Sequence, residues 1–148
     1  LEIYRARYLE RGALQSTVYP GVAAILRQIH ESPVPLSLAT SKPELPATKM
    51  LNLAGITRYF DVIAGASEDE VRSRKADVVA EALQRLATLG ADISNPVMVG
   101  DREHDIAGAA EHDVPTIFVS WGYGTTAEAS GSIAVADDPA QLHGLLLG

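Results

Sequence analysis

The chain contains no cysteine in its 148 residues. That removes disulfide staples, thiolate metal sites and a thiol nucleophile, and sets a cytoplasmic location as the expectation. Basic residues are also scarce: 12 Lys and Arg stand against 19 Asp and Glu, a formal net charge of −7. A nucleic-acid polymer or an anionic membrane would need a broad basic face, so neither is an expected partner, while a small anion can still be held locally. No apolar run approaches the roughly 20 residues of a membrane-spanning helix, and the opening LEIYRARYLERG is charged throughout, so neither anchor nor signal peptide is expected. There is no G-x-S-x-G elbow around Ser120 or elsewhere. His30, His104, His112 and His143 lack the spacing of a zinc site and read as surface or packing residues.

What is present suits one globular domain with a real core: 47% of the residues are apolar and 21% charged. Short apolar runs alternate with longer helical patterns, which predicts parallel βαβ units, an α/β fold with helices on both faces of the sheet. Strands are expected at residues 34–40, 60–64, 96–100 and 115–120, with a weaker one at 132–136. Helices are expected at 3–11, 22–30, 42–55, 75–89, 106–111 and 139–147, and a polar surface loop at 67–74. The first residue is Leu1 rather than Met, which suggests that residues precede it in the gene product.

In an open parallel sheet, ligands gather beyond the carboxyl ends of the strands. Three such ends carry unusual residues. Thr40 closes the first strand, where its hydroxyl would stand beside helix N-terminal amides, a ready anion site. Ser41, followed by Lys42, Pro43 and Glu44, reads as a helix N-cap with a capping box. Lys75 opens a long helix, where a cation opposes the helix dipole unless an anion offsets it. A bound phosphate would do so; a lysine bent into water is the alternative, and removing the cation is then expected to be neutral or slightly stabilising without ligand. Finally, VMVGDREHD ends a buried strand with Asp101 and places Asp105 four residues later. Their carboxylates suit a hard divalent cation, while Asp105 alone would also serve as a helix N-cap and Asp101 as a turn residue. The glycines of the Trp121–Gly124 loop suggest special backbone angles beside this edge.

Taken together, LATSKP, the Lys75 helix and VMVGDREHDIAGA resemble the second, third and fourth motifs of the haloacid dehalogenase-like hydrolases. YPGV, LNLAGITRYFDVIAGAS, RSRKADVVAEAL and WGYG are similar to the phosphoglycolate phosphatase and bacterial 5′-nucleotidase branch. The resemblance implies a Rossmann-like core at residues 17–148, with residues 1–16 as the end of a helical cap and its hinge. It implies Mg²⁺ held by Asp101 and Asp105, phosphate bound by Thr40, Ser41, Lys42 and Lys75, and catalytic roles for Thr40 and Lys75 toward a small phosphorylated metabolite. The family's first motif, a strand ending in D-x-D whose first Asp attacks phosphorus, has no match here. An N-terminal segment outside this chain is therefore expected to complete the core, lying between strands 34–40 and 96–100, and this chain alone is expected to be inactive. A non-catalytic phosphate- and metal-binding regulatory module is the alternative. A receiver-type domain would need paired acids at the end of its first strand, and none are found.

Overall fold

Alternation along the strands sorts the apolar side chains onto two faces. Leu38, Val99, Ile117 and Val119 join one buried cluster, while Ala39 and Met98, each one position away from a member of that cluster, enter others on the opposite side. The computed structural model describes residues 21–67, 74–122 and 124–147; the expected helix at 3–11 and the cap boundary at residue 16 lie outside these. The described strands are β1 (Ser37–Pro43), β2 (Val62–Ala66), β3 (Met98–Gly100), β4 (Thr116–Val119) and β5 (Ala134–Ala136). The helices are α1 (Val22–Glu31), α2 (Glu44–Ala54), α3 (Lys75–Thr88), α4 (Glu103–Ala110) and α5 (Pro139–Leu147).

All pairings are parallel. β1 pairs with β2, and β3, β4 and β5 form a second ladder in that order. Among the described residues no ladder joins β1 to β3. Grooves run between them, lined by Val34, Pro35, Pro96 and Val97 at one end and by Ala39 and Met98 further along. The two halves nevertheless share a core. Val22, Ile25, Leu26 and Ile29 of α1, Leu51 of α2 and Leu142 of α5 pack together with residues of β1, β3, β4 and β5. On the other face α3 presents Val78, Ala82 and Leu86 to β1 and β2, and Val79 to Met98 and Ala109. The result is the expected α/β sandwich.

Local chemistry shifts several boundaries. The strand expected at 34–40 begins at Ser37 and runs on to Pro43, so the helix starts at Glu44 rather than Lys42. Proline disfavours helical backbone in the residue before it, which keeps Lys42 extended. The capping box expected of Ser41 and Glu44 therefore does not form: Ser41 lies within β1, and no side chain caps α2. Glu44 instead accepts the Gly65 N–H at 3.2 Å and pairs with Arg85 at 2.7 Å, tying α2 to β2 and α3. At its other end α2 stops on Gly55 at φ 73°, a left-handed turn that glycine adopts without steric cost.

Candidate active site

β1 does not run straight into its terminus. Ala39 pairs with Ala64 and Pro43 with Ala66, so four steps on β1 face two on β2. The extra residues form a bulge at Thr40, Ser41 and Lys42, the kind of irregularity that re-aims side chains at a strand end. Thr40 is buried, Ser41 exposed and Lys42 half-buried. The Lys42 N–H donates to Thr40 Oγ1 at 3.1 Å. That bond occupies the amide expected to serve an anion, but it orients the hydroxyl, whose own proton can still be donated outward.

Lys75 is not solvated. Its side chain is 5% exposed and its ammonium lies 3.0 Å from Asp105 Oδ1, a carboxylate that is itself fully buried. The anion that offsets a cation at the start of α3 is therefore a protein side chain. The lysine stem reaches it across Gly108 of α4, where an added Cβ would meet Lys75 Cγ at 2.5 Å. A second tie holds the same turn: His112, just beyond α4, donates from Nε2 to the Ala76 carbonyl at 2.8 Å. A packing role for His112 is as expected.

Asp105 spends its other oxygen on backbone. Oδ2 accepts the N–H groups of Asp101 and Arg102, both at 3.1 Å. α4 accordingly begins at Glu103, and Asp105 is not its N-cap but a third-position residue reaching back over the turn. The expected start at residue 106 was late for this reason. With one oxygen on Lys75 and the other on two amides, Asp105 is arranged to hold its neighbours.

Asp101 follows directly on β3 and is 1% exposed. It is packed beneath the loop after β4. A Cβ on Gly122 would collide with the Asp101 side chain, and one on Gly124 with its carbonyl oxygen. Neither glycine has a positive φ. They are required for space, not for the special backbone angles expected of this loop. The loop is fastened by Glu128, whose Oε1 accepts Arg102 Nε at 2.7 Å and the Glu103 N–H at 3.2 Å, while Oε2 accepts the Thr125 N–H at 3.2 Å. The Arg102 guanidinium, followed by the two backbone donors, holds the Glu128 carboxyl down at about 2.

Among the described residues no group of three or more His, Asp or Glu side chains could hold a metal unaided. An all-protein cage is thus not available from them. Mg²⁺ does not require one: it commonly takes one or two carboxylates and completes its shell with water and substrate oxygens. A buried carboxylate at a strand's carboxyl end fits that donor chemistry, with Asp101 as the residue that would hold the ion.

Of the residues expected at the site, Lys75 on α3, Asp105 on α4 and Asp101 after β3 are brought together, while Thr40, Ser41 and Lys42 lie in the bulge at the end of β1. Gly108, Arg102 and Glu128 were not foreseen, and Gly122 and Gly124 were expected to matter for backbone angles, not for space. Thr125 and Glu128 do form the T-x-x-E pattern of a capping box, a readable signal. Gly108 within a helix, at a cost of about 1 kcal/mol relative to alanine, was another.

Residues 1–119 match the family model described as haloacid dehalogenase-like hydrolase. A protein named tyrosine-protein kinase PtkA from Mycobacterium tuberculosis is 45% identical over 121 residues, covering 82% of this chain and 40% of that protein. A phosphoglycolate phosphatase from Rhodospirillum rubrum is 35% identical over 141 residues, 94% of this chain and 57% of that enzyme. The crystal structure of a predicted phosphatase from Clostridium acetobutylicum superposes with a TM-score of 0.81 at 31% identity, covering 97% of this chain and 66% of that one. This chain belongs to the haloacid dehalogenase-like hydrolases, and its similarity to the branch that includes phosphoglycolate phosphatases and 5′-nucleotidases is borne out. It spans less than two thirds of the length of each of these three relatives. None of its described helices is long and apolar enough to cross a membrane.

Proposed function

We propose that the intact protein hydrolyses a small phosphate monoester, of the 2-phosphoglycolate or 5′-nucleotide type, through an aspartyl-phosphate intermediate with Mg²⁺. The buried Lys75–Asp105 pair beside Asp101, at the carboxyl end of β3, carries this reading. A fully buried cation and two buried carboxylates are costly to assemble for packing alone, and they suit a site where phosphoryl charge must be neutralised.

The attacking carboxylate would come from a segment outside this chain. Its oxygen bonds to phosphorus as the ester P–O bond breaks, and the departing alcohol takes up a proton; water then attacks phosphorus, releasing inorganic phosphate and restoring the carboxylate. Mg²⁺, when bound, supplies Lewis-acid stabilisation of the phosphoryl oxygens. Thr40 would donate its hydroxyl proton to one of those oxygens, with Ser41 and Lys42 around it. Lys75 would balance the charge of the nucleophile and the transferring group, Asp101 would hold the ion, and Asp105 would keep Asp101 and Lys75 in place. The acidic net charge favours a compact substrate whose phosphate is held locally over a polyanionic polymer.

Assaying the intact gene product against a panel of phosphate monoesters, with Mg²⁺ and with chelator, tests this. Turnover should require the ion, and Asp101→Asn should abolish it while leaving the circular dichroism spectrum and melting temperature nearly unchanged. Near-normal activity of the variant at low Mg²⁺ would remove Asp101 from the role of ligand.

The 45% identity to a protein named tyrosine-protein kinase favours a second reading. The same groups would then assist phosphoryl transfer to a tyrosyl hydroxyl, whose oxygen forms the new bond to phosphorus as a nucleoside diphosphate departs. Incubation with a nucleoside triphosphate and tyrosine-containing peptide, without monoester hydrolysis, would select it. Failure of both reactions in a protein that still binds Mg²⁺ and inorganic phosphate would leave the non-catalytic regulatory module.

A further inference from the structure

We propose that Glu128 is a positioning residue for Asp101, acting through the loop that covers it. The inference rests on the reading of Asp101 as the metal-binding carboxylate. One side chain, 17% exposed, joins two segments far apart in sequence: it bonds the Arg102 guanidinium and the Glu103 amide on the turn after β3, and the Thr125 amide on its own turn after β4. Between these anchor points lie Gly122, laid against the Asp101 side chain, and Gly124, laid against the Asp101 carbonyl. From below, Asp105 holds the Asp101 N–H. Asp101 is therefore clamped on three sides: by its own amide, by its carbonyl and by its side-chain carbon.

The clamp has an energetic consequence for a cation. A carboxylate already confined to one orientation loses little freedom when it binds an ion, whereas one able to turn must be ordered first. Without Glu128 the turn at residues 124–129 loses its attachment to Arg102 and Glu103, and the tie that keeps Gly124 against the Asp101 carbonyl is lost. Outer partners of a metal ligand of this kind are worth on the order of 10- to 100-fold in metal affinity.

The test uses the intact gene product and the metal alone: Mg²⁺ by calorimetry and Mn²⁺ by paramagnetic resonance, on wild type, Glu128→Gln, Glu128→Ala, Arg102→Ala and Asp101→Asn. Asp101→Asn should lose binding. Glu128→Ala should raise the dissociation constant about 10-fold or more. Glu128→Gln, which keeps one oxygen for either the Glu103 or the Thr125 amide and weakens the charge-assisted bond to Arg102, should fall between, close to Arg102→Ala. At saturating Mg²⁺ the Glu128 variants should recover most of their turnover. Should Glu128→Ala fail to fold, Glu128→Gln and Arg102→Ala carry the same comparison. A Glu128 variant with a lowered melting temperature but a dissociation constant within twofold of wild type would reduce the residue to a structural tie and overturn the proposal. Unchanged metal binding by Asp101→Asn would instead sink the underlying metal assignment, a separate and distinguishable failure.

Discussion

Replacing Lys75 should destabilise the protein as well as silence it, against the expectation from the helix dipole alone. At an exposed helix start the dipole disfavours a cation by about 0.3 to 1 kcal/mol. Here the ammonium and Asp105 are both buried and 3.0 Å apart. Breaking a buried pair by removing one partner costs about 3 to 5 kcal/mol, because the other charge is left in low dielectric. Asp105 keeps its two backbone donors on Oδ2, so the lower end, about 3 kcal/mol, applies to Lys75→Met, which preserves most of the stem. Lys75→Ala also empties the space over Gly108, at roughly 0.8 kcal/mol for each of the buried methylenes lost, and should reach about 5 kcal/mol. Asp105→Asn takes the charged partner at 3.0 Å from the buried lysine and should cost about 3 kcal/mol. The double variant Lys75→Met with Asp105→Asn removes both charges, so its cost should fall well below the sum of the singles. Urea unfolding of the intact gene product at neutral pH measures all four variants, and phosphatase assays on the same samples report turnover. If Lys75→Met proves as stable as wild type within about 0.5 kcal/mol, or if the two single costs simply add, the pair is not the coupled buried contact described above.

Gly108→Ala should destabilise by about 1 to 2 kcal/mol, since the new methyl meets both the Lys75 stem and, at 3.0 Å, the Ala76 backbone nitrogen. Gly144→Ala in α5, with nothing within 4 Å, should stabilise by up to about 1 kcal/mol; equal signs for the two in the same denaturation series would refute the close approach. Glu128 has a carboxyl lowered from 4.5 to about 2 in the folded state, so its contribution is complete above pH 4.5 and lost as pH falls toward 2. The melting-temperature gap between wild type and Glu128→Gln should thus stay constant from pH 8 to 5 and narrow below; a gap that closes near pH 6 would contradict the assignment. The 148-residue chain alone should show no phosphatase activity even with Mg²⁺, and measurable turnover from the pure chain would require a nucleophile within it.

The strand–helix rhythm was legible because buried parallel strands are short apolar runs, and PVMVG and PTIFVS could hardly be anything else. Boundaries slipped where a side chain competes for backbone groups or a ring restricts a neighbour. Asp105 drew the start of α4 back to Glu103, and Pro43 carried β1 past Thr40 and cancelled the role expected of Ser41. Lys75 was visible as an electrostatic oddity, but its partner was not: residue 105 lies thirty positions away, and no periodicity connects the two. Gly122 and Gly124 were noticed for the wrong property. Their φ angles are ordinary, and only the packed structure shows Asp101 in the volume a side chain would occupy.

The Lys75–Asp105 contact also bears on when the site comes into being. Lys75 stands at the head of a helix packed on β1 and β2, whereas Asp105 belongs to the half built from β3, β4 and β5. Neither half carries both members, so a nascent or partly unfolded molecule holds a lone lysine or a lone aspartate, each hydrated and chemically ordinary. The pair exists only after the halves have closed over their common core. The arrangement is thus a property of the closed fold as a whole: a molecule whose halves have not come together lacks the buried pair altogether, instead of holding a weakened version of it.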